Sequence, residues 1–178
     1  FMAVADAKMT GKPGIVMVSR GPGATNASIG VHVSQQDAVP MVMFVGQVAR
    51  EDIGRNAFQE VDYAQTFSDM AKWVVEINDA GRVAENVRRA FTIAQSGIPG
   101  PVIVSLPEDM LLDQTDAQSL GPTVISQPKP DSGDILKLCD MLSNAERPVI
   151  IAGGQIGGDY GREALRIVSE TWNVPVVT

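Results

Sequence analysis

Histidine and cysteine are almost missing from these 178 residues, with one of each, His32 and Cys139. A single cysteine excludes an internal disulfide, and two such residues cannot build a His/Cys metal cluster. Basic residues are in the minority: 14 Lys and Arg stand against 21 Asp and Glu, for a net charge of −7. That balance argues against a sequence-independent nucleic-acid contact. No apolar run is long enough to span a bilayer, and no secretory pattern opens the chain, so no membrane role and a cytoplasmic setting are expected. There is no Walker A loop and no nucleophile elbow. The chain opens at Phe1 inside what reads as a helix and stops after the strand-like "VPVVT", so a fragment of a longer protein is expected.

What is present is a regular succession of short apolar runs and helix-like segments. "FMAVADAKMTG" reads as the end of a helix closed by Gly11. "GIVMVS", "PMVMFVGQV", "AKWVVEI" and "GPVIVSLP" read as strands, the first two as buried ones and the fourth as ended by Pro107. Between them, a helix is expected over residues 27–36, capped by Thr25 or Asn26. A second is expected around "AGRVAENVRRAFTIAQSG", with Val83, Val87, Phe91 and Ala94 on one face. Cys139 reads as a small buried residue.

Apolar strands without alternation, each followed by a helix, imply an α/β fold with a parallel sheet covered on both faces. Residues 113–130 are polar and proline-containing and read as a linker. Residues 1–112 then form one domain. Residues 131–178 begin a second, Rossmann-like α/β domain, through "RPVIIAGG", "GREALRIVSETWN" and "VPVVT".

Ligands of parallel α/β sheets bind outside the carboxyl ends of the strands. "SRGPGATN", Ser19 to Asn26, stands at such an end. Its glycines permit positive φ and close backbone approach, and the helix start offers unpaired N–H groups. A plain β-α turn with a capped helix accounts for the same residues. Gln47, ending the next strand, lies at the same sheet edge, as a ligand-facing amide or a solvated strand end. The glycines of "AGGQIGG" do not fit the G-x-G-x-x-G spacing, and a strand-to-helix turn is the better reading, though an independent nucleotide site is a third possibility. His32 reads as structural, Glu51 and Asp52 as solvated loop carboxylates, and "VRRAF" as a charged helix face.

Taken in order, "GKPGIVMVSRGPGATNASIGVHVSQQDAVPMVMFVGQVAR…FQEVDYAQTF…AKWVVEI…VRRAFTIAQSGIPGPVIVSLPEDML" closely resembles the thiamine-diphosphate enzymes of the acetolactate synthase-like group. The resemblance implies the pyrimidine-binding N-terminal domain of a three-domain, homo-oligomeric enzyme, dimer or tetramer. Such an enzyme acts on a 2-oxo acid as a transferase or lyase, with thiamine diphosphate and Mg2+ as cofactors. It places Gly21, Pro22, Gly23, Thr25 and Asn26 at the pyrimidine-side wall. Gln47 and the "FQE" segment, Phe58, Gln59 and Glu60, line the same cavity, with Gln47 the candidate catalytic residue. The family's activating glutamate lies upstream of "GKPG" and has no counterpart here. The magnesium and diphosphate motif also lies outside these residues, so no metal ligand is assigned and the isolated chain is expected to be inactive. FAD is disfavoured by Glu85, which stands near where the family pattern has an arginine. A non-catalytic binding or assembly module on the same fold is the alternative.

Overall fold

The computed structural model describes residues 1–126 and 128–178. The chain divides into two compact units, Phe1–Ser126 and Gln127–Thr178.

The first unit is built on a four-stranded, all-parallel sheet. Its strands are β1 (Gly14–Val18), β2 (Met41–Gln47), β3 (Trp73–Glu76) and β4 (Pro101–Pro107), in spatial order β1-β2-β4-β3. The period-2 geometry of a strand sorts its residues onto two faces. Met41, Met43 and Val45 of β2 and Ile103 of β4 meet α1 (Met2–Thr10), α2 (Pro22–Gln36) and α3 (Tyr63–Phe67) through Val4, Ala7, Ala24, Val31 and Phe67. Val42, Val102 and Val104 point the other way and pack with Ala90 and Ala94 of α4 (Val83–Gln95). The mostly apolar composition of β2 and β4 follows from this two-sided burial.

β1 departs from that expectation. It is an edge strand, and its burial alternates: Val16 and Val18 pack into the core, while Ile15 and Met17 are exposed, 56% and 74%. α1 lies so close behind it that a Cβ on Gly14 would overlap the Ala3 carbonyl.

The helix after β1 also begins earlier than its sequence suggests. Gly21 is the N-cap, with φ 57° and ψ −109°, and Pro22 opens the first turn. Proline suits that place because its fixed φ is helical and it has no N–H to leave unpaired. Thr25 and Asn26 therefore lie inside α2 and cap nothing. The Thr25 hydroxyl instead donates back to the carbonyls of Gly21 and Pro22.

On α4 the innermost residues are Asn86, Ala90 and Ala94, while Val83, Val87 and Phe91 are half-buried along one flank. Small residues occupy the line closest to the sheet, and the larger apolar ones lie beside it. The two arginines of "VRRAF" are more than a charged face. Arg89 stacks on the Trp73 ring at 4.7 Å, and Arg88 Nε donates to Thr123 at 2.9 Å. Lys72 caps the end of α4 by donating to the Ile93 and Ser96 carbonyls, and burial pulls its ammonium pKa below the usual lysine range.

The second unit contains α5 (Ser132–Asn144), β5 (Ile150–Ile151), α6 (Asp159–Trp172) and β6 (Val176–Val177), with β5 and β6 parallel. Asp131 caps α5 by accepting from the Gly133 N–H. Cys139 is half-buried on α5, not enclosed, because no residue of that helix is buried. "AGGQIGG" forms a single 3-10 turn, Gly154–Ile156, leading from β5 to α6.

Candidate active site

Four strand ends converge at the carboxyl edge of the first unit. They carry Arg20 and Gly21 after β1, Gln47 at the end of β2, Glu76 at the end of β3, and Ser105 to Glu108 in β4 and just after it. The loop of residues 48–62 rises over them. A cavity of about 390 Å3 lies between, walled by Gln47, Glu60, Tyr63, Glu76 and Ser105 among others.

Gln47 is 3% exposed, which removes the solvated-strand-end alternative. Its amide nitrogen donates to the Val61 carbonyl at 2.9 Å and to Glu76 Oε2 at 3.2 Å, and its Oε1 accepts from the Val48 N–H at 3.0 Å. Both amide protons are thus engaged, and one acceptor position on Oε1 remains. Glu76 Oε2 accepts a second bond, from the Ser105 hydroxyl at 3.2 Å. A carboxylate at the tip of β3 thereby joins β2 and β4 beneath the cavity.

The glycine turn meets this wall through Tyr63. The Gly21 N–H donates to the Tyr63 oxygen at 3.0 Å, and the Tyr63 O–H donates to the Gly46 carbonyl at 3.0 Å. Burial pushes the phenol pKa above its ordinary value, so the proton this clip requires stays in place. Gly21 itself has no room for a side chain. Its φ is positive, and a Cβ there would stand 2.8 Å from Gln59 Cβ and 2.9 Å from the Gln59 carbonyl. A Cβ on Gly23 would overlap the Ser19 hydroxyl. The unhindered backbone is needed to seat the 48–62 loop against the turn.

That loop is held from within. Glu60 accepts from the N–H groups of Gly54 and Ala57, which depress its pKa below the usual glutamate range. Arg50, at the start of the loop, pairs with Asp109 and Asp113 beyond β4, and these carboxylates raise its guanidinium pKa.

The structure brings together Gly21, Gln59 and, through Tyr63 and Gly46, Gln47. It does not gather the others. Pro22 and Thr25 are exposed on the first turn of α2. Asn26 is exposed and lines a separate cavity of about 230 Å3 beside Phe1, Ile15 and Gly30. Phe58 is 81% exposed on the outside of the loop. Three wall residues escaped the reading of the sequence, Tyr63, Glu76 and Ser105. Glu76 had a usable signal, since it ends a strand as Gln47 does. Tyr63 and Ser105 had none beyond their position near such ends.

Residues 1–66 match the family described as "Thiamine pyrophosphate enzyme, N-terminal TPP binding domain". Over 99% of its length the chain is 38% identical to the acetolactate synthase large subunit of Buchnera aphidicola subsp. Acyrthosiphon pisum, covering 32% of that protein. It is 36% identical to the acetolactate synthase large subunit of Lactococcus lactis, over 97% of this chain and 31% of the relative. A solved structure of Rhodococcus jostii RHA1 thiamine diphosphate-dependent 4-hydroxybenzoylformate decarboxylase superposes with a TM-score of 0.85 at 26% identity, covering 98% of this chain and 34% of that one.

Residues 1–66 carry the N-terminal TPP binding domain of the thiamine-diphosphate enzyme family. Within that family its sequence is acetolactate synthase-like, and it spans about a third of the length of the curated relatives it matches. The parallel sheet flanked by helices is the fold of the family. Thiamine diphosphate is the cofactor that this match implies. No described helix is long and apolar enough to cross a membrane, and no group of three or more potential metal ligands occurs among the described residues.

Proposed function

We propose that this chain forms the pyrimidine-side wall of the active site in a thiamine-diphosphate-dependent enzyme that acts on 2-oxo acids by acetolactate synthase-like carboligation or decarboxylation. One observation carries the reading. A cavity at the carboxyl ends of β2, β3 and β4, clipped to a glycine turn, occurs in a chain similar to acetolactate synthase large subunits along almost all its length. When bound, thiamine diphosphate would supply a nucleophilic carbon and an electron sink for decarboxylation of a 2-oxo acid.

The cavity fits the ring end of that cofactor. At about 390 Å3 it falls within the usual span of ligand sites, about 300–1,000 Å3. Its wall offers acceptors to an amino-substituted heterocycle: the Glu76 carboxylate and the remaining position on Gln47 Oε1. No lysine or arginine lines it, so it suits an uncharged ring and leaves a diphosphate and Mg2+ to be held elsewhere in the enzyme. In this reading Gln47 touches the reacting region, Gly21 and Gln59 fix the wall, and Tyr63 holds the two together. Phe58, exposed at the loop surface, is placed to meet a neighbouring part of the assembly, as are Pro22, Thr25 and Asn26. The exposed apolar side chains of β1, Ile15 and Met17, favour a homo-oligomer.

The test is turnover by the intact enzyme. With thiamine diphosphate and Mg2+ it should release carbon dioxide from pyruvate or another 2-oxo acid, whereas the 178-residue chain alone should not. Failure of the intact enzyme to bind the cofactor, or to act on any 2-oxo acid, would favour a non-catalytic module.

A further inference from the structure

The first unit has a larger cavity beside α4, about 750 Å3, outside the site described above. One wall is the apolar flank of that helix, the half-buried Val83, Val87 and Phe91, of which Val83 and Phe91 also pack against the core behind them. The other wall is the extended segment 115–123, secured where Thr123 accepts from Arg88 Nε. Two cations line the groove, Lys12 and Arg88. Neither makes an ion pair among the described residues. Glutamate and aspartate are absent from the lining of this cavity, although the chain carries a net charge of −7.

We propose that this groove is a binding site for a small amphipathic carboxylate, an apolar chain ending in one carboxyl group. The apolar flank of α4 takes the chain, and burial of each methylene supplies the drive. The Arg88 guanidinium, with Nε already committed to Thr123, keeps its terminal N–H groups for the carboxylate, and Lys12 adds a second positive charge. The surplus of cations over anions inside the groove, against the sign of the whole chain, selects an acid over a neutral or cationic amphiphile. The site is separate from the strand-end cavity and does not depend on the reading of that cavity.

Octanoate, octan-1-ol and octylamine titrated calorimetrically into the 178-residue chain provide the test. Octanoate should bind saturably, one per chain, and about tenfold or more tighter than octan-1-ol. Arg88→Leu should weaken octanoate by about tenfold and leave octan-1-ol within about twofold, with an unchanged melting temperature as the folding control. Lys12→Met, on a residue with no side-chain partner, should act in the same direction and covers the case in which Arg88→Leu unseats the 115–123 segment. Absence of saturable octanoate binding would overturn the proposal. So would equal affinity for octanoate, octan-1-ol and octylamine, or octanoate affinity unmoved by both substitutions.

Discussion

The two units of this chain make similar use of sequence and differ in what they bury. The first encloses its strands between helices on both faces, and side chains as large as Phe67, Met43 and Ile103 are under 2% exposed. That depth of packing lets side chains at the strand ends, such as Gln47 at 3% exposure, be fixed by hydrogen bonds to other protein groups. The second unit repeats the strand–helix pattern in α5, β5, α6 and β6, yet Ala152 and Val174 are its only buried hydrophobic residues among those described. Ile135, Leu136, Leu138 and Met141 are exposed along α5. Amphipathic periodicity gives a helix an apolar face, but it does not supply the surface that covers it. A precise site belongs where the supporting shell is locked, and here that is the first unit.

The comparison is open to measurement. The largest contrast should appear in hydrogen exchange. Amides of β2 and β4 should open only with global unfolding, and those of α5, α6 and β6 should exchange about a thousandfold faster or more. Similar protection in both units would remove the distinction. Next in size is Gly21→Ala. The strained φ and the clash with Gln59 should together cost about 3 kcal/mol in denaturant unfolding. A loss below about 1 kcal/mol would show that the loop gives way without resistance.

Gln47→Ala comes after it. A cavity-facing glutamine with a free amide would be replaceable with little effect on folding. This one is buried, and its removal strips partners from Val61, Val48 and Glu76, so a loss of about 2–3 kcal/mol is expected by the same assay. Kinetic effects of that variant in the intact enzyme therefore have to be read at temperatures where it remains folded. Tyr63→Phe, which breaks the clip to Gly21 and Gly46, should cost about 1–2 kcal/mol.

The smallest effect is a pH dependence. Backbone N–H groups lower the Glu60 pKa in the folded state, so its contribution is present above the ordinary glutamate pKa and is lost as pH falls through the depressed folded value. Glu60→Gln should lower the melting temperature slightly at neutral pH and flatten the acid limb of the profile. An acid limb unchanged by the substitution would mean that the loop does not rely on this carboxylate.

Much of this was legible in the residues. β2 and β4 are central and mostly apolar, broken only by Gln47 at the end of β2 and Ser105 in β4, and reading them as strands needed only that composition. β1 looked the same in sequence, and its half-exposure comes from its place at the sheet edge, which no local pattern encodes. The start of α2 was misread because Thr25 and Asn26 are strong capping residues, while Gly21 with Pro22 in the next position satisfied the helix end first. Gln47 was found by a rule about strand ends that applies equally to Glu76. Tyr63 was hidden because its role depends on a tertiary approach between residues 42 positions apart.

The central claim is that the cavity at the ends of β2, β3 and β4 receives the ring of thiamine diphosphate. The most direct measurement is a crystal structure of the intact enzyme grown with thiamine diphosphate and Mg2+. The account predicts ring density in contact with the Gln47 and Glu76 wall, with Gly21 still bound to Tyr63. Ring density at any other place on this chain, with the cavity beside Gln47 left to solvent, would contradict it.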